Sequence, residues 1–317
     1  MLFVNGEFVI VPGAEVPWDD FVLNHPAGSI ALDGYVPGKS DFEPVGPYAT
    51  LDHHKDVGRF STASTAQQLL ICLRNGLRQS FHDEHGNFTA TAFANHADED
   101  IFVAKYLLDH ADELSGPVTT DQLPLEHFVH VAGVMDATAG AYPYPVDFDD
   151  MQIMAWIFEE YNVARLEKLF YLPENKHSAA LHYELTAIAT GKIALHLAGR
   201  GERRELDTRH NKTIGGEGWH IVEKIGAHAR IGAFADGVDA YLMSEPSAEN
   251  DGRWHHVVGR RSPFVPFPVP ELTAHMNTLE PGWGGATNVA GSPRPDGSIF
   301  DPVAVQHEFN SVIAAKR

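Results

Sequence analysis

The stretch Tyr48-Ala49-Thr50-Leu51-Asp52-His53-His54 decides how this chain reads. Tyr48 to Leu51 is a short run of small and apolar residues, the texture of a buried strand. An acid and two imidazoles close it. Burying them at a strand's carboxyl end is costly without an opposite charge, and a divalent cation supplies one compactly. Upstream, Ser29-Ile30-Ala31-Leu32 reads as another buried strand, ending on Asp33-Gly34. Downstream, Phe88 to Ala94 alternates like a strand and runs into Asn95-His96-Ala97-Asp98-Glu99-Asp100. Phe128 to Met135 reads as a further buried strand with Asp136 at its tip. Between them, Ser61 to Asn75 reads as a helix capped by Ser64 or Thr65, with Leu69, Leu70 and Leu73 as its apolar face; Ile101 to Leu108 opens another. Strand, acid-bearing loop, helix, repeated, predicts an α/β fold. Its sheet is mainly parallel with helices on both faces, and ligands bind at the strands' carboxyl ends.

The remainder is placed around that frame. The first 25 or so residues read as short strands and turns broken by Pro12, Pro17 and Pro26, and Tyr35 to Pro47 as a loop. Asp150 to Phe170 and Lys176 to Leu197 read as helices, separated by Pro173 and stopped near Gly199. From Glu205 the texture changes to short strands at Ile214, Trp219 to Val222, Arg230 to Phe234, Ala240 to Leu242 and Trp254 to Val258. The expected division is a first domain over 1–170, a helical connector over 171–200 and a smaller α+β C-terminal domain over 201–317.

Lys and Arg number 23 against 43 Asp and Glu, a formal net charge of −20 over 317 residues. That opposes binding to long nucleic acid, which depends on phosphate neutralisation. It permits a small anion held by metal and a few cations, and it also serves solubility. The single cysteine, Cys72, sits in an apolar run and reads as a buried structural thiol. Met1 to Gly6 lack the basic region and apolar core of a signal peptide, and no stretch reaches the ~20 apolar residues of a membrane span. A cytoplasmic protein without a membrane partner is the expectation, and a homodimer is compatible with it.

Asp33, His53, His96, Asp98, Asp100 and Asp136 supply the ligand number of a two-metal site with a bridging carboxylate. Mixed oxygen and imidazole donors suit Mn²⁺, Fe²⁺, Co²⁺ or Zn²⁺ better than Ca²⁺. Each piece also has a plainer reading: Asp33-Gly34 as a turn, the run from Asn95 to Asp100 or Asp136 as helix caps, and Asp52-His53-His54 as a solvated loop.

These segments resemble the DHH phosphoesterase superfamily. Ser29 to Asp33 resembles its strand ending in a metal-bridging aspartate, Leu51 to His54 its signature, Ser61 to Ala66 its Ser-Thr-Ala helix start, and Gly133 to Thr138 a later aspartate-bearing strand. The resemblance implies that Asp33 bridges two metals, that His53 and Asp136 ligate them, and that 1–170 is the catalytic domain. It implies catalytic roles for His54, against the scissile phosphate, and for Asp52, in support. The family's first motif, a histidine with two alternating acids, is matched by His96, Asp98 and Asp100, which here follow the signature, so the motif order is permuted. His25 is the reserve candidate. In the C-terminal domain, Trp283 to Ser292 resembles the glycine-rich signature of the DHH-associated substrate-binding domain, with Arg260-Arg261 upstream. Gly284, Gly285, Asn288, Arg260 and Arg261 are then substrate-binding residues.

The expected function is a metal-dependent hydrolase of a small phosphate ester or short nucleotide-type substrate. Mn²⁺ is the expected ion, with Mg²⁺, Co²⁺, Fe²⁺ or Zn²⁺ as alternatives. The competing reading is a non-catalytic metal- or nucleotide-binding sensor on the same scaffold.

Overall fold

The computed structural model describes residues 7–172, 174–175, 177–247, 250–293 and 296–315. Met1 to Gly6, Pro173 and Lys176 lie outside them, and with these the readings of a leader, a helix break and a helix start. The protein is mixed α/β with two mixed sheets, and the chain divides into two compact units. One comprises residues up to Ala137, Gln152–Ala164 and Leu172–Arg204; the other comprises Thr138–Met151, Arg165–Tyr171 and residues from Glu205 onward. Of the stretch 171–200 read as a connector, residues 172–200 therefore count with the first unit. Among the described residues, no helix is long and apolar enough to cross a membrane.

In chain order, the first unit begins with β1 (Phe8–Ile10), α1 (Trp18–Asn24), β2 (Ser29–Leu32), β3 (Asp41–Glu43) and β4 (Tyr48–Leu51). It continues with α2 (Thr65–Arg74), β5 (Thr91–Ala94), α3 (Glu99–Asp109), α4 (Ala111–Leu114) and α5 (Leu123–Ala137). Then follow α6 (Asp149–Ile157) and α7 (Glu159–Leu166), whose Asp149–Met151 and Arg165–Leu166 count with the other unit, and α8 (Ala180–Leu195). The sheet order is β1-β5-β2-β4-β3, with parallel pairings except β3 on β4. Ser64 caps α2, its hydroxyl accepting from Gln67 N while the Gln67 side chain accepts from Ser64 N. Leu69 and Leu73 are wholly buried and Cys72, one position from Leu73, is only half-buried. The expected buried thiol is thus on the shoulder of the helix.

Several expectations change. The first 25 residues include a helix, α1, whose Phe21 is buried among Tyr35, Val36 and Phe93. The stretch read as one helix from Asp150 to Phe170 is two, α6 and α7. Phe128 to Met135 is no strand but the body of α5. Its apolar character runs on from Leu123 to a helical length, and Leu125, Phe128, Val129, Ala132 and Met135 are buried at helical spacing. Gly133 lets α5 close on α2: a Cβ there would lie 2.3 Å from the Gln67 side chain.

The second unit carries β6 (His210–Gly216), β7 (Trp219–Lys224), α9 (Ala229–Ala235), β8 (Ala240–Pro246) and β9 (Trp254–Arg260). It ends with α10 (Val269–Leu279), β10 (Gly284–Gly285), β11 (Val289–Gly291) and α11 (Pro302–Ala315). Its sheet order is β10-β11-β9-β8-β7-β6. Trp219, Val258, Leu272, Met276 and Phe309 form its main core. Arg230 to Phe234, read as a strand, is helical α9. Ala229, Gly232 and Ala233 are buried at helical spacing, and a Cβ on Gly232 would meet the Thr208 carbonyl at 2.4 Å.

Candidate metal centre

Strands β5, β2 and β4 lie side by side and parallel, so their carboxyl ends share one edge of the sheet. Asp33 follows β2, Asp52-His53-His54 follows β4, and Asn95 to Asp98 follows β5. Strand β5 therefore enters the sheet beside β2 and delivers the histidine and acids that follow it to the same edge. Asp33 sits at φ 48° and Gly34 at φ 82°. A non-glycine residue held in that region costs of order 1 kcal/mol and is commonest at functional sites. Asp136 comes from the last turn of α5, not from a strand tip.

The predicted ligands meet. Three overlapping groups have ligand atoms within 4.8 Å of one another: Asp33 with His53 and His54; Asp33 with His96 and Asp98; and His53 with Asp100 and Asp136. The His53 Nε2 is 3.3 Å from Asp33 Oδ1, 3.0 Å from Asp136 Oδ2 and 3.9 Å from Asp100 Oδ2. The His54 Nε2 stands 2.7 Å from Asp33 Oδ1, and the His96 Nε2 lies 3.3 Å from Asp33 Oδ2 and 3.0 Å from Asp98 Oδ2. Asp33, His53 and Asp100 are buried; His54 and His96 are partly exposed. Asp33 Oδ2 and both ring nitrogens of His53 are buried without a hydrogen-bond partner. Buried polar atoms in this state are rare, and a shared cation fits them.

The electrostatics agree. Burial pushes Asp33 up, but the nearby imidazoles of His53, His54 and His96 outweigh it and hold the carboxyl well below its usual range. Burial, then Asp136 and Asp33, push Asp100 well up. Burial also raises Asp136, against the pull of His53 and Arg59. Burial lowers His96, but Asp98 and Asp33 overcome it and lift the imidazole well above its ordinary value. Asp33 and Asp136 likewise overcome burial to raise His53. The cluster has more negative charge than it can hold and draws positive charge in.

Residues beyond the predicted set complete it. The amino end of α2 clasps Asp100 through Thr65 N (2.7 Å) and Ala66 N (3.1 Å), and the Thr65 hydroxyl lies 3.2 Å from Asp33 Oδ1. Arg59 donates to the Asp136 carbonyl at 3.0 Å and lies 3.4 Å from its carboxylate. Asp98 caps α3 by accepting from Ile101 N, so its cap reading and its place in the cluster are both correct descriptions. Asp52 is buried outside the three groups and accepts from Gly38 N and His54 N, which fixes the backbone of His54. His25 lies apart, against Phe21, Phe93 and the Tyr35 hydroxyl.

His182, on α8, accepts from Ala97 N through Nδ1 at 3.1 Å, between His96 and Asp98. Burial, then His96, lowers His182 to about 4, so it stays a neutral acceptor at neutral pH. His182→Ala leaves a buried N–H unpaired, a cost of about 1–3 kcal/mol. We expect Mn²⁺ affinity to fall by about tenfold or more in titration calorimetry. His182→Asn, whose Oδ1 can stand in for Nδ1, should restore it; equal affinity for wild type and His182→Ala would remove this role.

The predicted substrate-binding residues lie in the second unit. Arg261 donates to Asp239 at 2.8 Å and to the Phe234 carbonyl, so its charge is met locally. Arg260 donates to the Val265 carbonyl at 3.2 Å, while its Nε is buried without a partner. Arg260 N donates to the Asn288 carbonyl at 2.9 Å, and buried Asn288 keeps Oδ1 without a partner. Gly284 and Gly285 form the exposed β10; at φ 146°, Gly285 has room for no Cβ, which would lie 2.6 Å from Ala290 Cα. Compared with known family models, curated proteins and solved structures, the chain matches none.

Proposed function

We propose that this protein is a metal-dependent phosphoesterase acting on a small phosphate ester or short nucleotide-type substrate. The observation that carries the reading is the sharing of Asp33 and of His53 between overlapping ligand groups, the arrangement a pair of neighbouring cations needs. Asp33, His96 and Asp98 would hold one ion, and His53, Asp100 and Asp136 the other, with Asp33 as the bridge. The DHH resemblance points the same way and gives Mn²⁺ as the ion. The mainly parallel sheet with its helices is then the catalytic domain, and the smaller α+β unit chooses the substrate.

Bound divalent ions would supply a hydroxide-like nucleophile near neutral pH and clamp the phosphate oxygens. The protein's own groups do the rest. His54, partly exposed and held at Asp33 and by the Asp52 carboxylate on its backbone, is presented to a phosphoryl oxygen. Arg59 brings a guanidinium beside Asp136, where it can offset charge developing in the transition state. A net charge of −20 favours a compact anion over a polymer.

The test is metal analysis followed by hydrolysis of an aryl phosphodiester with and without Mn²⁺. We expect tight-binding divalent metal and Mn²⁺-dependent turnover, both lost in Asp136→Asn. Metal retained with no turnover on any phosphate ester of a broad panel would favour the sensor reading; no divalent metal bound at all would end both.

A further inference from the structure

In the second unit, Ser244 and His256 are direct partners across β8 and β9. The Ser244 Oγ lies 2.7 Å from His256 Nδ1, and His256 Nε2 lies 2.9 Å from the Phe300 carbonyl oxygen. A carbonyl only accepts, so in the neutral ring Nε2 carries the proton and Nδ1 turns its lone pair to the serine hydroxyl. His256 is 2% exposed and its backbone N–H donates to Ser292 Oγ at 3.0 Å. Its ring stacks on Trp283, with centroids 5.6 Å apart and planes 12° from parallel. Trp283 Nε1 donates to the buried Glu280 carboxylate at 3.2 Å, and Glu280 also accepts from Ile299 N, next to Phe300. The imidazole is thus held at both nitrogens and on its face.

His182 uses the corresponding lone pair on a buried backbone N–H. His256 directs it instead to the hydroxyl of a partly exposed side chain near the end of β8. A hydroxyl, a base and an acceptor that orients the base, in series at hydrogen-bond distance, is the arrangement that activates a serine. Burial holds His256 below its ordinary value, aided by His255 and opposed by the Phe300 carbonyl, Glu280 and Asp301, so at neutral pH the ring is unprotonated and can accept. Val222 pairs with Met243, so exposed Glu223 runs level with Ser244 on the same face of the sheet. An anion approaching the hydroxyl meets that carboxylate, whereas an uncharged molecule does not.

We propose that Ser244 is a nucleophilic serine with His256 as its general base, serving acyl transfer from uncharged carboxylic esters. The bond from Ser244 Oγ to the acyl carbon forms as the ester's acyl–oxygen bond breaks, and the proton passes from Oγ to His256 Nδ1 and on to the leaving alkoxide. Water then attacks the acyl-serine, gives its proton to Nδ1, and releases the carboxylic acid as Oγ takes that proton back. No candidate metal ligand takes part, so this activity stands whether or not the phosphoesterase reading does.

The full chain in metal-depleted buffer, given p-nitrophenyl acetate and, separately, an uncharged alkyl fluorophosphonate, tests it. We expect ester hydrolysis and a stoichiometric phosphonyl adduct that peptide mass spectrometry maps to Ser244. Ser244→Ala and His256→Gln should each lower hydrolysis by about 100-fold or more. The labelling rate of wild type should stay level from neutral pH upward and fall only as acid protonates His256, below 6.5. That profile reads the base without any substitution and serves if His256→Gln fails to fold. No adduct at Ser244, no hydrolysis above the buffer rate, hydrolysis unchanged in Ser244→Ala, or a labelling rate that climbs steadily with hydroxide would each overturn the proposal.

Discussion

Asp33→Asn is expected to abolish metal retention and to reduce Mn²⁺-dependent phosphodiester hydrolysis by about 10³-fold or more, the scale of losing two-ion catalysis altogether. Asp33 is singular because each of its oxygens serves a different part of the cluster: Oδ1 faces His53, His54 and Thr65, and Oδ2 faces His96. An amide keeps the shape but loses the charge and turns an NH₂ toward imidazoles. His96→Ala touches one ligand group only and should leave partial metal binding. Stability separates the acids as well. Three histidine contacts hold Asp33 in its charged form, so Asp33→Asn should lower the melting temperature of metal-free protein. Burial, with Asp33 and Asp98, makes Asp136 reluctant to ionise, so Asp136→Asn should leave that temperature unchanged or raise it. Mn²⁺ is expected to stabilise wild type by about 2.7 kcal/mol at a hundredfold excess over Kd, and both variants should lose that stabilisation. Elemental analysis and thermal melts check this; full metal content in Asp33→Asn would remove its bridging role.

What could be read from the sequence follows from strand topology. A run such as Ser29 to Leu32, wholly buried and ended by Asp33-Gly34, announces both a strand and the turn that aims its acid. Parallel neighbours then bring such ends together automatically, which is why His53, His96 and Asp33 meet although they are far apart in the chain. Asp136 joined them by another route, since Phe128 to Met135 has no periodicity strong enough to distinguish a buried helix from a buried strand. Arg230 to Phe234 failed in the same way. Arg59 and His182 carried no motif of their own, and Thr65 reads in the sequence only as a helix start, not as a partner of Asp33 or Asp100. Their roles come from a loop fold, a helix start and the docking of α8 on α3, none of which local sequence encodes. Arg261 shows the converse: an arginine pair reads as a free anion site until the fold supplies Asp239.

Mn²⁺ affinity is expected to rise with pH by about tenfold per unit for each proton that binding displaces. His96 and Asp100 are the proton holders. Burial works against the imidazolium of His96, yet Asp98 and Asp33 raise it well above its ordinary 6.5, so a ligating nitrogen is freed only when that proton leaves. Burial, then Asp136 and Asp33, raise Asp100 well above 3.8. Both are raised groups, so their contribution to metal-free stability is complete below 6.5 and 3.8 respectively and is lost as pH rises through their folded values. Asp33 is lowered, so its contribution is present above 3.8 and fades only as acid takes pH down through its folded value. The site in metal-free protein therefore weakens toward alkaline pH, where Mn²⁺ binds best. The gap between melting temperatures with and without Mn²⁺ should widen from pH 6 to pH 8, and calorimetry in buffers of different ionisation enthalpy should register proton release. His96→Gln, with no titrating nitrogen, should flatten the affinity slope by about one proton. An affinity that stays level across this range would mean that Mn²⁺ binds without displacing these protons, and so somewhere other than at His96 and Asp100.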